Sequence, residues 1–232
     1  MKNTILNWSG GKDCAMALYR LLSDETYRPV KFLTTLNGEK QQVPMHEIPE
    51  ILIHRQAESC GFAVEKLYLP HNASNPVYEE MMKDFWMKEQ NAGNTASAYG
   101  DIFLQDVRNY REKLLREIGI EPVFPLWNMN TRELIREFIN LGFKAIITSA
   151  DNRYFDQEVL GKTIDNAFIG HLPADVDPCG ENGEFHTFVY DGPVFDFPVK
   201  FIAGEAAFTE YTGAGTDKPG FGIWHLKLTP DG

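Results

Sequence analysis

Short apolar runs alternate with longer amphipathic segments through the first two-thirds of the chain, and this alternation constrains the fold more than any other feature. Residues 5–8 read as a strand, and 12–22 carry Ala15, Leu18, Tyr19 and Leu22 at helical spacing. A second strand is expected over 30–36, a helix over 48–60 ending at Gly61, and an alternating strand over 64–69 that stops at Pro70. Asn75 and Pro76 open another helix, with Asn as the cap and Pro in the first turn, running to about residue 90. Further on, 98–104 read as a strand end and 106–118 as a charged helix closed by Gly119. A helix over 131–141 closed by Gly142 then leads to a short apolar strand over 144–149. Strands separated by helices of this length predict an α/β fold with a parallel sheet covered on both faces.

The pattern changes after about residue 151. A short helix near 163–170 leads into a Gly- and Asp-rich loop over 175–183. Strand-like runs follow at 185–190, 194–197, 199–202 and 221–228, with a turn at Asp191-Gly192-Pro193. This predicts a nucleotide-binding domain over 1–155 and a smaller α+β substrate-binding region over 156–232.

Composition narrows the function classes. With 33 acidic against 22 basic residues the net charge is −11, which disfavours a broad nucleic-acid surface while leaving room for a local basic pocket. No run approaches the roughly 18 apolar residues of a membrane span. The N-terminus is too polar for a signal peptide, so a cytoplasmic location is expected. The three cysteines, Cys14, Cys60 and Cys179, show no CxxC spacing and indicate neither a disulfide framework nor a zinc site.

The turn between the first strand and the first helix is Ser9-Gly10-Gly11-Lys12-Asp13-Cys14. Open α/β sheets bind phosphates at such a turn, where backbone N–H groups and a helix N-terminus converge. Gly10 and Gly11 permit close backbone approach, Ser9 offers a hydroxyl and Lys12 a point charge. The glycine spacing matches neither GxxxxGK[ST] nor GxGxxG. A tight turn whose glycines serve geometry alone is the plain alternative; the crowding of Ser, Lys and Asp into this one turn favours the phosphate reading.

The run SGGKD after a first strand resembles the pyrophosphate loop of the ATP pyrophosphatases, whose loop ends in Ser where this chain has Cys14. Three further segments resemble the diphthine–ammonia ligase family within that group. They are Tyr99-Gly100-Asp101-Ile102 followed by Arg108 and Glu112, Pro125-Leu126-Trp127 followed by Leu134, and Gly180-Glu181-Asn182-Gly183-Glu184-Phe185-His186-Thr187. His186 stands where the diphthamide-forming branch has an acid, and this version resembles the bacterial branch. The resemblance implies a HUP-like, Rossmann-type three-layer fold. It implies an ATP-dependent amide ligase that adenylates a carboxylate, releases pyrophosphate, and completes the amide with ammonia and AMP release. ATP, Mg²⁺, ammonia and a carboxylate, either a small molecule such as a cobalamin-salvage intermediate or a modified protein histidine, are the implied ligands. Neither nucleic acid nor a membrane is an expected partner, and a homodimer is left open. A nucleotide-binding sensor without catalysis is the competing reading, pointed to by Cys14.

Several residues follow as candidates. Lys12, Asp13, Glu181, Glu184 and His186 are expected to be catalytic, the last three as groups that orient substrate or deprotonate the amine. Asp13 and Asp101 are candidates for Mg²⁺, which takes one or two carboxylates plus phosphate oxygens; a favourable charge in the first helical turn is the alternative for Asp13. The nucleotide site is expected to include residues 9–14, Thr34, Thr35, Asn37, His46, Gly100, Asp101 and Ser149, with Asp151 similarly placed. Arg108 either contacts an anionic substrate or pairs with Glu112 one helical turn away.

Overall fold

The computed structural model describes residues 1–70, 73–211 and 221–231. The parallel sheet is built from β1 (Lys2–Asn7), β2 (Tyr27–Asn37), β5 (Val64–Leu69), β6 (Asn94–Ala98) and β7 (Glu121–Val123) in the spatial order β5-β2-β1-β6-β7. Counting only these strands the order is 3-2-1-4-5, so the connection reverses direction between β1 and β6. In open sheets of this kind the ligand crevice lies beyond the strand C-termini at that reversal.

Period-two alternation decides which side each residue serves. Leu6 and Phe32 point into a cluster with α1 (Lys12–Leu22) and α2 (Glu50–Ser59). Their neighbours Ile5 and Leu33 point to the other face, against α3 (Asn75–Asn91) and α4 (Gln105–Ile118). Helices therefore cover both faces. The α3 cap is Ser74, one residue earlier than the sequence suggests, and β6 ends where 98–104 were expected to be strand.

A short hairpin, β3 (Gln42–Val43) and β4 (Ile48–Pro49), extends the sheet antiparallel to β2. Asn37 pairs with Leu69 of β5 and with Gln42 of β3, so these two strands lie on opposite edges of β2. The hairpin thus sits on the β1 side, past the end of β1, above the turn that leads into α1.

The second sheet is antiparallel, in the order β10 (Phe201–Tyr211), β11 (Phe221–Pro230), β8 (Lys144–Asp151), β9 (Phe185–Asp191). Here the sequence reading is corrected: residues 144–149 do not add to the parallel sheet. β8 is buried along all but its first residue because it is central in the second sheet. A central strand covered on both faces has the same continuous apolar run whichever sheet holds it. No strand forms over 194–200, and β10 begins at Phe201. This sheet joins α1, α2 and α5 (Thr131–Asn140) in one core, with Phe138 stacked on Phe143 at 4.8 Å and Tyr19 edge-on to Phe143 at 6.2 Å. The fold is α/β with a separate antiparallel sheet toward the C-terminus. No described helix is long and apolar enough to cross a membrane.

Candidate active site

A cavity of about 770 Å³ opens at the reversal point, within the range of small-ligand sites. Its floor is the turn from β1 to α1. Gly10 takes φ +83°, a conformation that favours glycine. A Cβ there would stand 2.7 Å from Gln56 Oε1 and 2.8 Å from Ile53 Cδ1. At Gly11 a Cβ would meet His46 Cε1 at 2.6 Å and the Thr187 carbonyl at 3.2 Å. Both glycines are therefore required by the protein packed around the turn.

The second sheet braces this turn directly. Val189 N–H donates to the Gly10 carbonyl at 2.9 Å, and Lys12 N–H donates to Thr187 Oγ1 at 3.0 Å. Buried Gln56 ties the assembly together. It accepts from Trp8 Nε1 at 2.9 Å and donates to the carbonyls of Gly10 at 3.0 Å and Val189 at 2.6 Å. The Cys14 thiol donates to the Gly11 carbonyl at 3.0 Å, with Ser9 Oγ 3.7 Å from its sulfur. Burial pushes that thiol up to about 11, so it stays protonated.

Lys12 is buried, and its Nζ lies 2.8 Å from Asp13 Oδ2, 3.0 Å from Oδ1 and 5.6 Å from the Phe185 ring centre. Burial is the largest influence and works against the ammonium charge, but Asp13, together with Cys179 and Glu181, more than offsets it and lifts the lysine above its ordinary pKa. Glu181 reaches across from the 175–183 loop and accepts from Ile102 N–H at 2.7 Å and Phe103 N–H at 3.3 Å. Burial, reinforced by the charge on Asp13, pushes its carboxyl up to about 7 despite those donors.

His46 stands at the tip of the β3–β4 hairpin, between Met45 at φ +65° and Glu47 at φ +54°. Its Nδ1 lies 3.1 Å from the Thr187 carbonyl, and its ring centre is 4.6 Å from that of His186. Burial lowers His46 to about 4 and holds His186 well below the usual imidazole range, so both are neutral at pH 7. The Nε2 of His186 is buried without a hydrogen-bond partner among the described residues.

The cavity gathers most of the residues singled out from the sequence: Ser9, Lys12, Asp13, Cys14, Thr35, His46, Gly100, Asp101, Glu181 and His186 all line it. Others lie elsewhere. Thr34 points to the opposite face of β2 from Thr35, and its hydroxyl donates to the Trp8 carbonyl at 2.7 Å. Asn37 turns its side-chain oxygen to the N–H groups of Glu39 and Lys40, both at 3.0 Å. Ser149 donates to the Met45 carbonyl at 2.5 Å, fixing the hairpin tip. Asp151 is bound by Arg153. Glu184 is fully buried, and its carboxylate accepts from the N–H groups of Asp177 and Asn182, both at 2.9 Å, so it shapes the loop and does not line the cavity. Arg108 pairs with Glu112 at 2.6 Å and stacks on Trp127 at 4.5 Å, the salt-bridge alternative.

Sequence reasoning missed three residues here. Asn7 lines the cavity while donating to Ala98 O at 2.9 Å and Ser97 Oγ at 3.0 Å, which joins β1 to β6. Asp177 accepts from Cys179 N–H at 2.8 Å and Thr131 Oγ1 at 2.7 Å, anchoring the 175–183 loop. Arg111 lines the cavity beside Tyr99; its place four residues along α4 from Val107 was the available signal.

Two family models cover most of the chain: the diphthamide synthase N-terminal domain matches residues 1–122, and the diphthamide synthase C-terminal domain matches residues 130–218. The chain belongs to the diphthamide synthase family. The chain is similar to the diphthine–ammonia ligase of Homo sapiens, 31% identical over 122 residues that make up 50% of this chain and 44% of that one. The Mus musculus diphthine–ammonia ligase is 31% identical over 160 residues, 66% of this chain and 54% of the relative. The Schizosaccharomyces pombe protein of the same name is 24% identical over 136 residues, covering 53% and 22% respectively. The chain thus spans about half the length of the mammalian relatives it matches. In this diphthamide synthase family member the two matched segments meet at the cavity, since Lys12 and Asp13 come from the first and Glu181 and His186 from the second.

Proposed function

We propose that this chain is an ATP-dependent amide ligase that adenylates a carboxylate and then amidates it with ammonia. One observation carries the reading: a buried, charged Lys12 at the N-terminus of α1 shares a single cavity with Glu181, a carboxyl whose pKa of about 7 suits proton transfer near neutrality. The mammalian relatives named diphthine–ammonia ligase support it.

In this reading a carboxylate oxygen attacks the α-phosphorus of ATP, the bond to the bridging oxygen breaks, and pyrophosphate leaves. Lys12 and the first turn of α1 stabilise the charge that gathers on the departing oxygens. Ammonia then attacks the acyl carbon and AMP departs, with Glu181 taking the proton lost by nitrogen. Neutral His46 and His186 wall this region without adding charge.

Asp13 and Asp101 fit a Mg²⁺ ion. Burial raises the Asp101 pKa; the Arg111 charge works against this, and the charge on Asp13 adds to it, which marks two carboxylates brought together. Among the described residues no cluster of three or more metal-ligating side chains is present, and Mg²⁺ at a nucleotide needs only one or two carboxylates beside phosphate oxygens. When bound, the ion would supply charge neutralisation on the phosphates. The parallel sheet forms the ATP-binding part in this reading. β8 pairs with β9 and β11 in the second sheet, and in this reading it goes with the substrate-facing part.

The test is to incubate the protein with ATP, Mg²⁺, ammonium and a panel of small and protein-borne carboxylates. The expected products are AMP and pyrophosphate, formed only with an active carboxylate. Production of ADP and phosphate alone, with every active substrate, overturns the reading. Tight nucleotide binding with no turnover for any substrate would favour a sensor.

A further inference from the structure

Two cationic side chains line the cavity, Lys12 on α1 and Arg111 on α4, and their surroundings differ. Both oxygens of the Asp13 carboxylate hold the Lys12 ammonium. Arg111 meets Asp101 and Tyr99. Its Nε lies 2.9 Å from Asp101 Oδ2 and its Nη2 3.2 Å from Oδ1. The Nε–Oδ2 pair does not reach hydrogen-bond geometry, which leaves both atoms buried without a bond. The Tyr99 hydroxyl also lies within hydrogen-bond reach of the guanidinium. The Tyr99 ring lies under the guanidinium, 4.1 Å from its carbon, and fixes the plane. Asp101 thus engages one edge of a rigid donor fork, the edge carrying Nε and Nη2.

The wall around that fork mixes apolar groups with Asp101 and the phenols Tyr78 and Tyr99. Val107 and Arg111, four residues apart on α4, present one stripe to the cavity, with Leu104 at the N-cap and Tyr78 and Leu33 also lining it. A guanidinium flanked by Val107 and the Tyr78 and Tyr99 rings, and shared with Asp101, suits an anion carried on an apolar body. A carboxylate matches the fork with two parallel charge-assisted hydrogen bonds. The nucleotide phosphates already have Lys12 and the α1 N-terminus, which leaves Arg111 for the other reactant.

We propose that Arg111 binds the carboxylate of the acyl substrate, and that its neighbours select a carboxylate borne on an apolar body. This rests on the ligase reading for the carboxylate's fate, though not for its binding. Asp101 occupies the fork until a substrate carboxylate shares or replaces it. A carboxamide product carries no charge to match the fork, so amidation weakens its own hold and favours release.

The test uses the full chain without Mg²⁺ and measures binding of phenylacetate, phenylacetamide and acetate by ligand-observed NMR. ATP binding is measured separately by calorimetry. Phenylacetate is expected to bind roughly tenfold or more tightly than either of the others. Arg111→Gln should abolish that preference while ATP affinity stays within a few-fold. Asp101→Asn, which removes the competing carboxylate, should strengthen phenylacetate binding. Arg111→Lys keeps the charge but not the fork and should fall between; it and Asp101→Asn decide the matter if Arg111→Gln does not fold. The proposal is overturned if phenylacetate binds no better than phenylacetamide or if the preference survives Arg111→Gln. It is also overturned if Arg111→Gln weakens ATP as much as phenylacetate, or if Asp101→Asn weakens phenylacetate. A wild-type protein that prefers phenylacetate but binds no ATP would refute the ligase reading and leave the anion site standing.

Discussion

Replacing Gln56 by Met tests whether the polar lock beneath the glycine turn holds the two sheets together. The side chains are close in volume, so the change removes three hydrogen bonds while leaving little cavity. Gln56 is fully buried, and Trp8 Nε1 loses its partner at 2.9 Å outright. The carbonyls of Gly10 and Val189 each lose one bond, although Gly10 keeps the one from Val189 N–H. An orphaned buried donor costs about 1–3 kcal/mol and each lost bond about 0.5–1.5 kcal/mol, giving roughly 2–6 kcal/mol in all. Against a typical total stability of about 5–15 kcal/mol that is a large loss. For a chain of this size each kcal/mol moves Tm by about 2–4 °C, so a fall of roughly 5–20 °C is expected. Urea denaturation followed by tryptophan fluorescence and by far-UV circular dichroism provides the measurement. The control is Gln90→Met, an exposed side chain with one bond to the Ile118 carbonyl, which should cost less than about 1 kcal/mol. If Gln56→Met destabilises no more than this control, the lock does not stabilise the fold and the argument fails.

Gly11→Ala should destabilise by about 1–3 kcal/mol, because its Cβ would overlap His46 Cε1 at 2.6 Å, and His46→Ala in the same chain should restore part of the loss in a thermal melt. Equal melting temperatures for Gly11→Ala and wild type would contradict the packing described here. Glu181 has a folded-state pKa of about 7, raised from 4.5. Its proton is therefore held more tightly in the folded chain, and the stability it contributes is present below about pH 4.5 and lost as pH rises through 7. Glu181→Gln keeps the acceptor for Ile102 N–H and should gain on wild type at pH 8 relative to pH 5; parallel stability curves for the two proteins would count against the raised pKa.

How much was legible beforehand depended on whether a feature is local. The glycine turn, α1 and β5 could be read because strand period, glycine position and proline stops act over a few residues. Thr34 was misassigned where the same periodicity, applied strictly, would have separated it from Thr35. The sheet to which β8 belongs was not legible, since a doubly covered strand has the same apolar run in either sheet. Glu184 and Glu181 look equivalent in the sequence; only the fold turns one carboxylate into its own loop and the other into the cavity. Gln56 had no signal at all, because a buried glutamine that ties the segment from Trp8 to Gly10 to the distant Val189 has no short-range pattern.

The bonds from Val189 to Gly10 and from Thr187 to Lys12 span most of the chain's length. In the ligase reading, the turn that takes up the nucleotide is not braced until β9 has been made, so nucleotide binding is expected to come late in folding.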